Sequence, residues 1–119
     1  MNSTYLKLIV ILFLFIGETF SIYAEMIAAR TNSFAAQPFI NIFLKMFLII
    51  AFAGLFLISG YMLGFTAFKN IWIVSVASIT PILIMEPLLA YTIFKQLPTK
   101  GALVGLVLGA LGFIAATIF

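Results

Sequence analysis

The chain has 119 residues, of which 66% are apolar and only 8% are charged, and its formal net charge is +3. This length fits one domain and excludes two large globular domains. A soluble domain has about 25% charged residues, and so few polar residues cannot cover the surface of a water-soluble core. Intrinsic disorder is excluded as well, because it requires low hydrophobicity. The composition therefore predicts an integral membrane protein.

The sequence contains neither cysteine nor histidine. Disulfides, thiolate nucleophiles, haem attachment and iron–sulfur clusters are therefore excluded. Three glutamates are the only strong metal ligands that remain, so we expect no metal site and no cofactor. The six basic residues occur singly in different segments and form no patch, so we expect no nucleic-acid partner. No phosphate-binding loop, nucleophile elbow or metal-binding pair is present, and we expect that the chain is not an enzyme.

Taken in chain order, four apolar stretches are each long enough for a membrane-spanning helix, which needs about 20 residues. They cover residues 5–29, 46–68, 71–94 and 101–119, and short connectors separate them at 30–38, 69–70 and 95–100. Four helices with short connections predict a single all-α transmembrane domain over residues 1–119, built as an antiparallel four-helix bundle. We expect a multi-pass protein of the cell's inner or plasma membrane.

The first stretch could also be a cleaved signal peptide, because Lys7 precedes an apolar run over residues 8–17. The apolar pattern continues past Glu18, however, and no small-x-small cleavage site closes the first run. We therefore interpret this stretch as a transmembrane helix.

Two acidic residues lie within this first helix. Glu18 is close to its middle, and Ser21 and Glu25 follow at i+3 and i+7, so the three residues share one helix face. A charge at the bilayer centre costs at least about 2.5 kcal/mol, so an intramembrane acid indicates function. Loss of solvation favours the neutral form of a carboxylic acid, so a buried glutamate can bind and release a proton near neutral pH. Proton-coupled transport requires such a group. We therefore expect Glu18, Ser21 and Glu25 to bind protons or substrate.

Each acid also has a purely structural interpretation. Glu18 could remain protonated and make one interhelical hydrogen bond, whereas Glu25 could lie near the headgroups or pair with Arg30. Glu86, in the third stretch, precedes Pro87 and follows Pro81. Proline removes a backbone donor and can open a helix, and a broken helix with an acid at the break is typical of transporter sites. We expect Glu86 to belong to the same binding site, with a simple prolyl kink as the alternative.

Glycines recur along the fourth stretch. Gly101, Gly105 and Gly109 are four residues apart and share one face, which allows close approach of another helix. The second stretch has a shorter version of this pattern in Gly60 and Gly64. Because four short helices can hardly enclose a substrate path, we expect Gly101, Gly105 and Gly109 to form a homodimer interface. Tight packing within one chain is the alternative.

The junction over residues 94–105, which reads FKQLPTKGALVG, resembles the corresponding junction of the small multidrug resistance exporters, within the drug/metabolite transporter superfamily. The length, the four spans and the acid in the first helix match as well. This resemblance implies that Glu18 binds protons and cationic substrate in competition, and that two antiparallel protomers form the pathway. The exporters carry Tyr and Trp around the substrate on the third helix, where this chain has Ser75 and Ser78. Four-helix flippase subunits for lipid-linked aminosugars also lack those aromatic residues.

These observations favour a small proton-coupled exporter of a cationic or amphipathic molecule, working as a homodimer among membrane lipids. Two alternatives remain open, a flippase subunit for a lipid-linked sugar and a non-catalytic accessory subunit of a larger membrane complex.

Overall fold

The computed structural model describes residues 3–34 and 38–119, and within these it is entirely helical. Four α-helices follow one another along the chain: α1 (Ser3–Phe34), α2 (Phe39–Phe68), α3 (Ile71–Phe94) and α4 (Lys100–Ile118). Each of the four is long and apolar enough to cross a membrane. The prediction of an all-α protein with four candidate transmembrane helices is therefore confirmed, and it indicates a multi-pass membrane protein.

The first two helices are longer than their apolar stretches. α1 continues to Phe34 instead of ending at Ala29, and α2 begins at Phe39 instead of Met46. Backbone hydrogen bonding does not require apolar side chains, so a helix can continue through polar residues such as Lys45. With 32 and 30 residues, α1 and α2 are about 48 and 45 Å long, which exceeds the roughly 30 Å of a hydrocarbon core. Residues 35–37 of the expected first connector lie outside the described residues.

Both later connections begin with a lysine in the left-handed conformation. Lys69 has a φ of 59° and Lys95 a φ of 58°, and each amide donates back to the last turn of its helix, to the carbonyl oxygens of Phe65 and Tyr91. The next helix is then capped by a side chain. The Asn70 oxygen accepts from the amide of Trp72 at 2.9 Å, and the Thr99 hydroxyl accepts from the amide of Ala102 at 3.1 Å. These caps satisfy amides that have no partner inside a helix, and they fix both turns.

Close helix contacts are made at three glycines, Gly17 on α1 and Gly60 and Gly64 on α2. A β-carbon at Gly17 would lie 2.7 Å from the Leu57 side chain, and one at Gly60 would lie 2.8 Å from Leu14. At Gly64 a β-carbon would lie 3.1 Å from both Val10 and Val74. The spacing of Gly60 and Gly64 therefore reflects packing within the chain. The contact at Gly17 was not predicted from the sequence, because Gly17 is not part of a regularly spaced set of glycines.

The core of the protein is formed by α1, α2 and α3. Its largest fully buried side chains are Val10, Leu14 and Val74, which come from α1 and α3. Beside them, phenylalanines of α1 and α2 meet edge to face, with ring centres 5.4 Å apart for Phe13–Phe56 and 5.8 Å apart for Phe20–Phe52. Edge-to-face pairs add stabilisation beyond the area that they bury. α1 thus contacts both other helices of the core.

The fourth helix lies outside this core. Among the described helices α4 contacts only α3, and none of its residues is buried. A β-carbon at Gly109 would be in ordinary contact with Leu83 of α3 at 3.5 Å, whereas at Gly101 and Gly105 it would meet nothing within 4 Å. The four helices therefore form a three-helix core with one peripheral helix instead of a closed bundle.

The contact at Gly17 gives a first prediction. Replacing Gly17 by alanine places a methyl group 2.7 Å from both the Cδ2 and the Cγ of Leu57 and 3.2 Å from the carbonyl oxygen of Ala53. The Cδ2 atom could turn away, but the Cγ and the backbone oxygen are fixed more firmly, so we expect Gly17→Ala to lower the free energy of unfolding by about 1–3 kcal/mol. Thermal unfolding in detergent, followed by circular dichroism, measures the change.

Gly54→Ala is the matched control, because a β-carbon at Gly54 meets nothing within 4 Å. Alanine is the better helix former by up to about 1 kcal/mol, so this variant should be neutral or slightly stabilised. Equal unfolding midpoints for the two variants would contradict the close packing of α1 on α2.

Candidate functional site

The glutamate in the middle of α1 is held by a residue of α3. Gly17 faces α2, and the next residue, Glu18, points about 100° further around α1. There the Ser78 hydroxyl donates a hydrogen bond of 2.8 Å to the Glu18 Oε1 atom. Ser78 is only 5% exposed and Glu18 is partly buried. The two residues are 60 positions apart in the chain, so this bond joins two helices of the core.

The Glu18–Ser78 hydrogen bond is strengthened by the carboxyl group that accepts it and by its apolar environment. A hydrogen bond that involves a carboxylate is stronger than a neutral one, and it gains further strength in a medium of low dielectric constant. The sequence showed Ser75 and Ser78 only as replacements for aromatic residues. A serine in an otherwise apolar helix indicates a polar contact, but the sequence does not identify the residue that Ser78 contacts.

The other expected residues of α1 differ in their environment. Ser21 is only 8% exposed, whereas Glu25, on the same face, is exposed. Thr19, which the sequence did not single out, has a buried hydroxyl without a hydrogen-bond partner among the described residues. The polar face of α1 therefore changes from buried at Glu18 and Ser21 to exposed at Glu25.

Glu86 lies on a continuous helix. α3 runs from Ile71 to Phe94 with Pro81 and Pro87 inside it, so the break expected at Glu86 is not present. Its side chain is exposed at the protein surface, and it interacts electrostatically with both Glu25 and Glu18. The three glutamates, predicted from separate patterns, are thus brought into one electrostatic neighbourhood. In the described part of the chain, no three acidic side chains are grouped closely enough to hold a metal ion.

A cavity of about 540 Å³ opens beside Glu86. Its wall is formed by the second half of α3, the connection to α4, the first half of α4, and Met26 of α1. Among the described residues that form this wall, Glu86 is the only charged one, and most of the others are apolar. Glu18, Ser21 and Ser78 do not contribute to it. The structure therefore contains two distinct features, the Glu18–Ser78 bond inside the core and the cavity at its edge.

Comparison with known proteins adds no relative to this description. No protein-family model, no curated protein and no solved structure matches the chain.

The Glu18–Ser78 bond gives a second prediction. We expect Ser78→Ala to lower the free energy of unfolding by about 0.6 kcal/mol, the average for hydrogen bonds between membrane helices, and by no more than about 1.7 kcal/mol. In a Glu18→Leu background the same substitution should cost almost nothing, because its partner is gone. A double-mutant cycle measured by unfolding in detergent gives this coupling.

Thr92→Val serves as the control, because among the described residues the Thr92 hydroxyl donates to the Leu88 carbonyl oxygen of its own helix and to no other helix. Its effect should add to that of Glu18→Leu without coupling. If Ser78→Ala were equally additive, the bond would contribute nothing to the association of α1 with α3.

Proposed function

We propose that the chain is a small proton-coupled membrane exporter of a cationic or amphipathic molecule, in which Glu18 binds proton and substrate in turn. The observation that carries the proposal is the position of Glu18. This acid lies midway along a helix that is long enough to span a bilayer, and it is bound to a neutral hydroxyl instead of a basic side chain. A carboxyl group without a fixed counter-charge remains available to a mobile cation.

The order of helix contacts supports a transmembrane arrangement with alternating directions. Along α1, the contacts with α2 pass from Val10–Gly64 to Leu14–Gly60 and Gly17–Leu57. Residue numbers rise in one helix while they fall in the other, as in an antiparallel pair. Together with the short connections after α2 and α3, this order fits four spans of alternating direction.

The mechanism follows from competition at one carboxyl group. Ionised Glu18 would attract a cation, and the negative charges of Glu25 and Glu86 nearby would increase its local concentration. Protonation of Glu18 removes its charge, and with it the attraction, so a proton that arrives from one side releases the cation to that same side. Export against the proton flux follows when the site opens to the two sides in turn, carrying a proton one way and a cation the other. Ser78 would hold the carboxyl group in position in either state, because its hydroxyl is both a donor and an acceptor. This behaviour is what the resemblance to small multidrug resistance exporters implies for Glu18.

We further propose that two copies associate through α4. This helix is covered by α3 alone, and the positions of Gly101 and Gly105 open onto free space. In lipid, helices associate through close packing and hydrogen bonds because there is little hydrophobic drive between them. The glycines leave one face of α4 without side chains, so another helix can pack closely against it. We propose that this helix is the α4 of a second copy.

The role of Glu18 gives a third prediction. Glu18→Gln keeps the side-chain volume and the oxygen facing Ser78 but cannot ionise, so we expect proton-linked transport to be abolished while folding is retained. The measurement is uptake of tetraphenylphosphonium into proteoliposomes under a pH gradient, with the opposing proton flux followed by a pH-sensitive dye.

The comparison variant is Glu25→Gln, which removes an equal charge at an exposed position. It should slow uptake but keep the coupling to protons. Wild-type uptake by Glu18→Gln would rule out the proposed mechanism.

The α4 interface gives a fourth prediction. Gly105→Leu adds bulk where a β-carbon meets nothing within its own chain, so it should leave the fold intact and lower the dimer fraction. Ala110→Leu adds similar bulk at another exposed position of α4, on a different face, and should leave the dimer fraction unchanged. Single-molecule photobleaching in bilayers counts the copies. An equal dimer fraction in both variants would exclude this face as the interface.

A further inference from the structure

Basic residues mark the two ends of the helices, and Glu18 lies midway between them. In the alternating arrangement proposed above, Lys7 and Lys69 lie at one end, which we call the Lys7 end. The other four basic residues lie at the opposite end, the Arg30 end, and they are Arg30, Lys45, Lys95 and Lys100. Along α1, Glu18 is about 17 Å from Lys7 and about 18 Å from Arg30. Access to Glu18 from each end therefore depends on what fills the two halves of the molecule.

The half at the Lys7 end is closed by apolar packing. The three largest fully buried side chains all lie on this side of Glu18, and they are Val10, Leu14 and Val74. A β-carbon at Gly64 would lie 3.1 Å from both valines, so α2 also fits tightly against them. Packing this close leaves no space for a water molecule or a hydrated ion. We call this cluster of three residues the apolar seal.

A second layer covers the apolar seal. Phe68, the last residue of α2, packs against the buried cluster. The Nζ atom of Lys7 lies 5.4 Å from the centre of the Phe68 ring, and the attraction between a cation and an aromatic ring holds the start of α1 to the end of α2. Residues 8–17, between Lys7 and Glu18, carry no polar side chain. A proton or cation therefore finds no polar group to bind on this side.

The half at the Arg30 end differs, because polar groups continue beyond Glu18. Ser21 follows on the same face of α1, and Glu25 is exposed. Glu86 of α3 interacts electrostatically with Glu18 and Glu25. Acidic side chains inside a membrane domain almost always face the protein interior or a water-filled cavity. Glu86 does form part of a cavity wall, and that cavity of about 540 Å³ lies beside the connection between α3 and α4, at this end.

We propose that in this conformation Glu18 is reached from the Arg30 end alone, past Glu86, and that the apolar seal closes the opposite route. This inference rests on the proposed transport function, since an exporter exposes its carboxyl group to the two sides in turn. The structure is then one of the two states of that cycle. The other state requires the seal to part, with α1 moving away from α2 at Gly64.

The chain allows a direct test of this asymmetry, because it contains no cysteine. A charged, membrane-impermeant methanethiosulfonate reagent modifies an introduced thiol only where water reaches it, since the reactive thiolate does not form in lipid or in a dry core. Val10 and Met26 are a matched pair, each eight residues from Glu18 on α1. Met26 belongs to the cavity wall and Val10 to the seal. Leu55, exposed near the middle of α2, is the reference for a lipid-facing position.

The fifth prediction concerns the rates of thiol modification in proteoliposomes with the reagent on both sides, so that the orientation of the chain does not affect the result. We expect Met26→Cys to react roughly tenfold faster than Val10→Cys, because a buried thiol ionises less readily. Leu55→Cys should be as slow as Val10→Cys. Equal rates for Met26→Cys and Val10→Cys would overturn the seal. Equal rates for Met26→Cys and Leu55→Cys would show that the cavity excludes water, which overturns the route.

Ser78→Cys reports on access to Glu18 itself, because residue 78 contacts that carboxyl group. In this background, Ala90→Trp adds bulk to the wall of the cavity, at the Arg30 end. Ala116→Trp adds the same bulk to a second cleft of about 620 Å³, which lies where α3 begins and α4 ends. We expect Ala90→Trp to slow the modification and Ala116→Trp to leave its rate unchanged. The reverse pattern, or no effect of either substitution, would overturn the proposal.

These measurements can fail independently of the transport mechanism. Thiol modification requires no transport, so normal transport by Glu18→Gln would refute the mechanism and leave the modification rates as they are. Equal rates at residues 10 and 26 would refute the seal and leave the result for Glu18→Gln unchanged.

Discussion

The close contact between α1 and α2 determines the orientation of everything else on α1. Gly17 has no side chain, so Leu57 and the backbone at Ala53 can approach it directly. Once residue 17 faces α2, residue 18 must face a different neighbour, because successive helix positions differ by about 100°. That neighbour is α3, and the Glu18 carboxyl group meets Ser78 there. The absence of a side chain at Gly17 thus determines the direction in which Glu18 points. Rotation of α1 about its axis is opposed by the contact of Gly17 with α2 and by the hydrogen bond of Glu18 with α3.

The sequence was sufficient for the features that depend on composition and local spacing. Apolar stretches of the right length predicted four helices, and the bounds of α3 were found as expected. The end of α1 and the start of α2 were predicted wrongly. Hydropathy shows which part of a helix is apolar enough for lipid, but not where the hydrogen bonds of the helix begin or end. The bond between Glu18 and Ser78 joins residues 60 positions apart, and no periodicity within one helix contains that information. Glycine spacing indicated which faces allow close approach, but the contact at Gly17 depends on a side chain of another helix.

α3 is the helix through which the parts of the molecule are connected. Val74 packs against Gly64 of α2 and belongs to the core cluster with Val10, and Ser78 bonds to Glu18 of α1. Leu83 contacts α4 at Gly109, and Glu86 is part of the cavity wall. Two prolines, Pro81 and Pro87, lie inside the same helix. Proline has no amide hydrogen, so the carbonyls one turn earlier, at Ala77 and Leu83, lack their usual donor. Polar backbone groups are thereby available along the helix that carries both the serine and the acid, in a part of the molecule where few other polar groups are present.

The peripheral position of α4 has a consequence for how the protein is made. Every contact of α1, α2 and α3 with one another is formed by residues that precede Lys95, so this core is complete in sequence before the ribosome has synthesised the last helix. α4 contacts α3 alone among the described helices, so the contacts of this core do not require α4 to be docked. These contacts are compatible with a three-helix intermediate that already holds the Glu18–Ser78 bond, to which the last helix adds its part of the cavity wall.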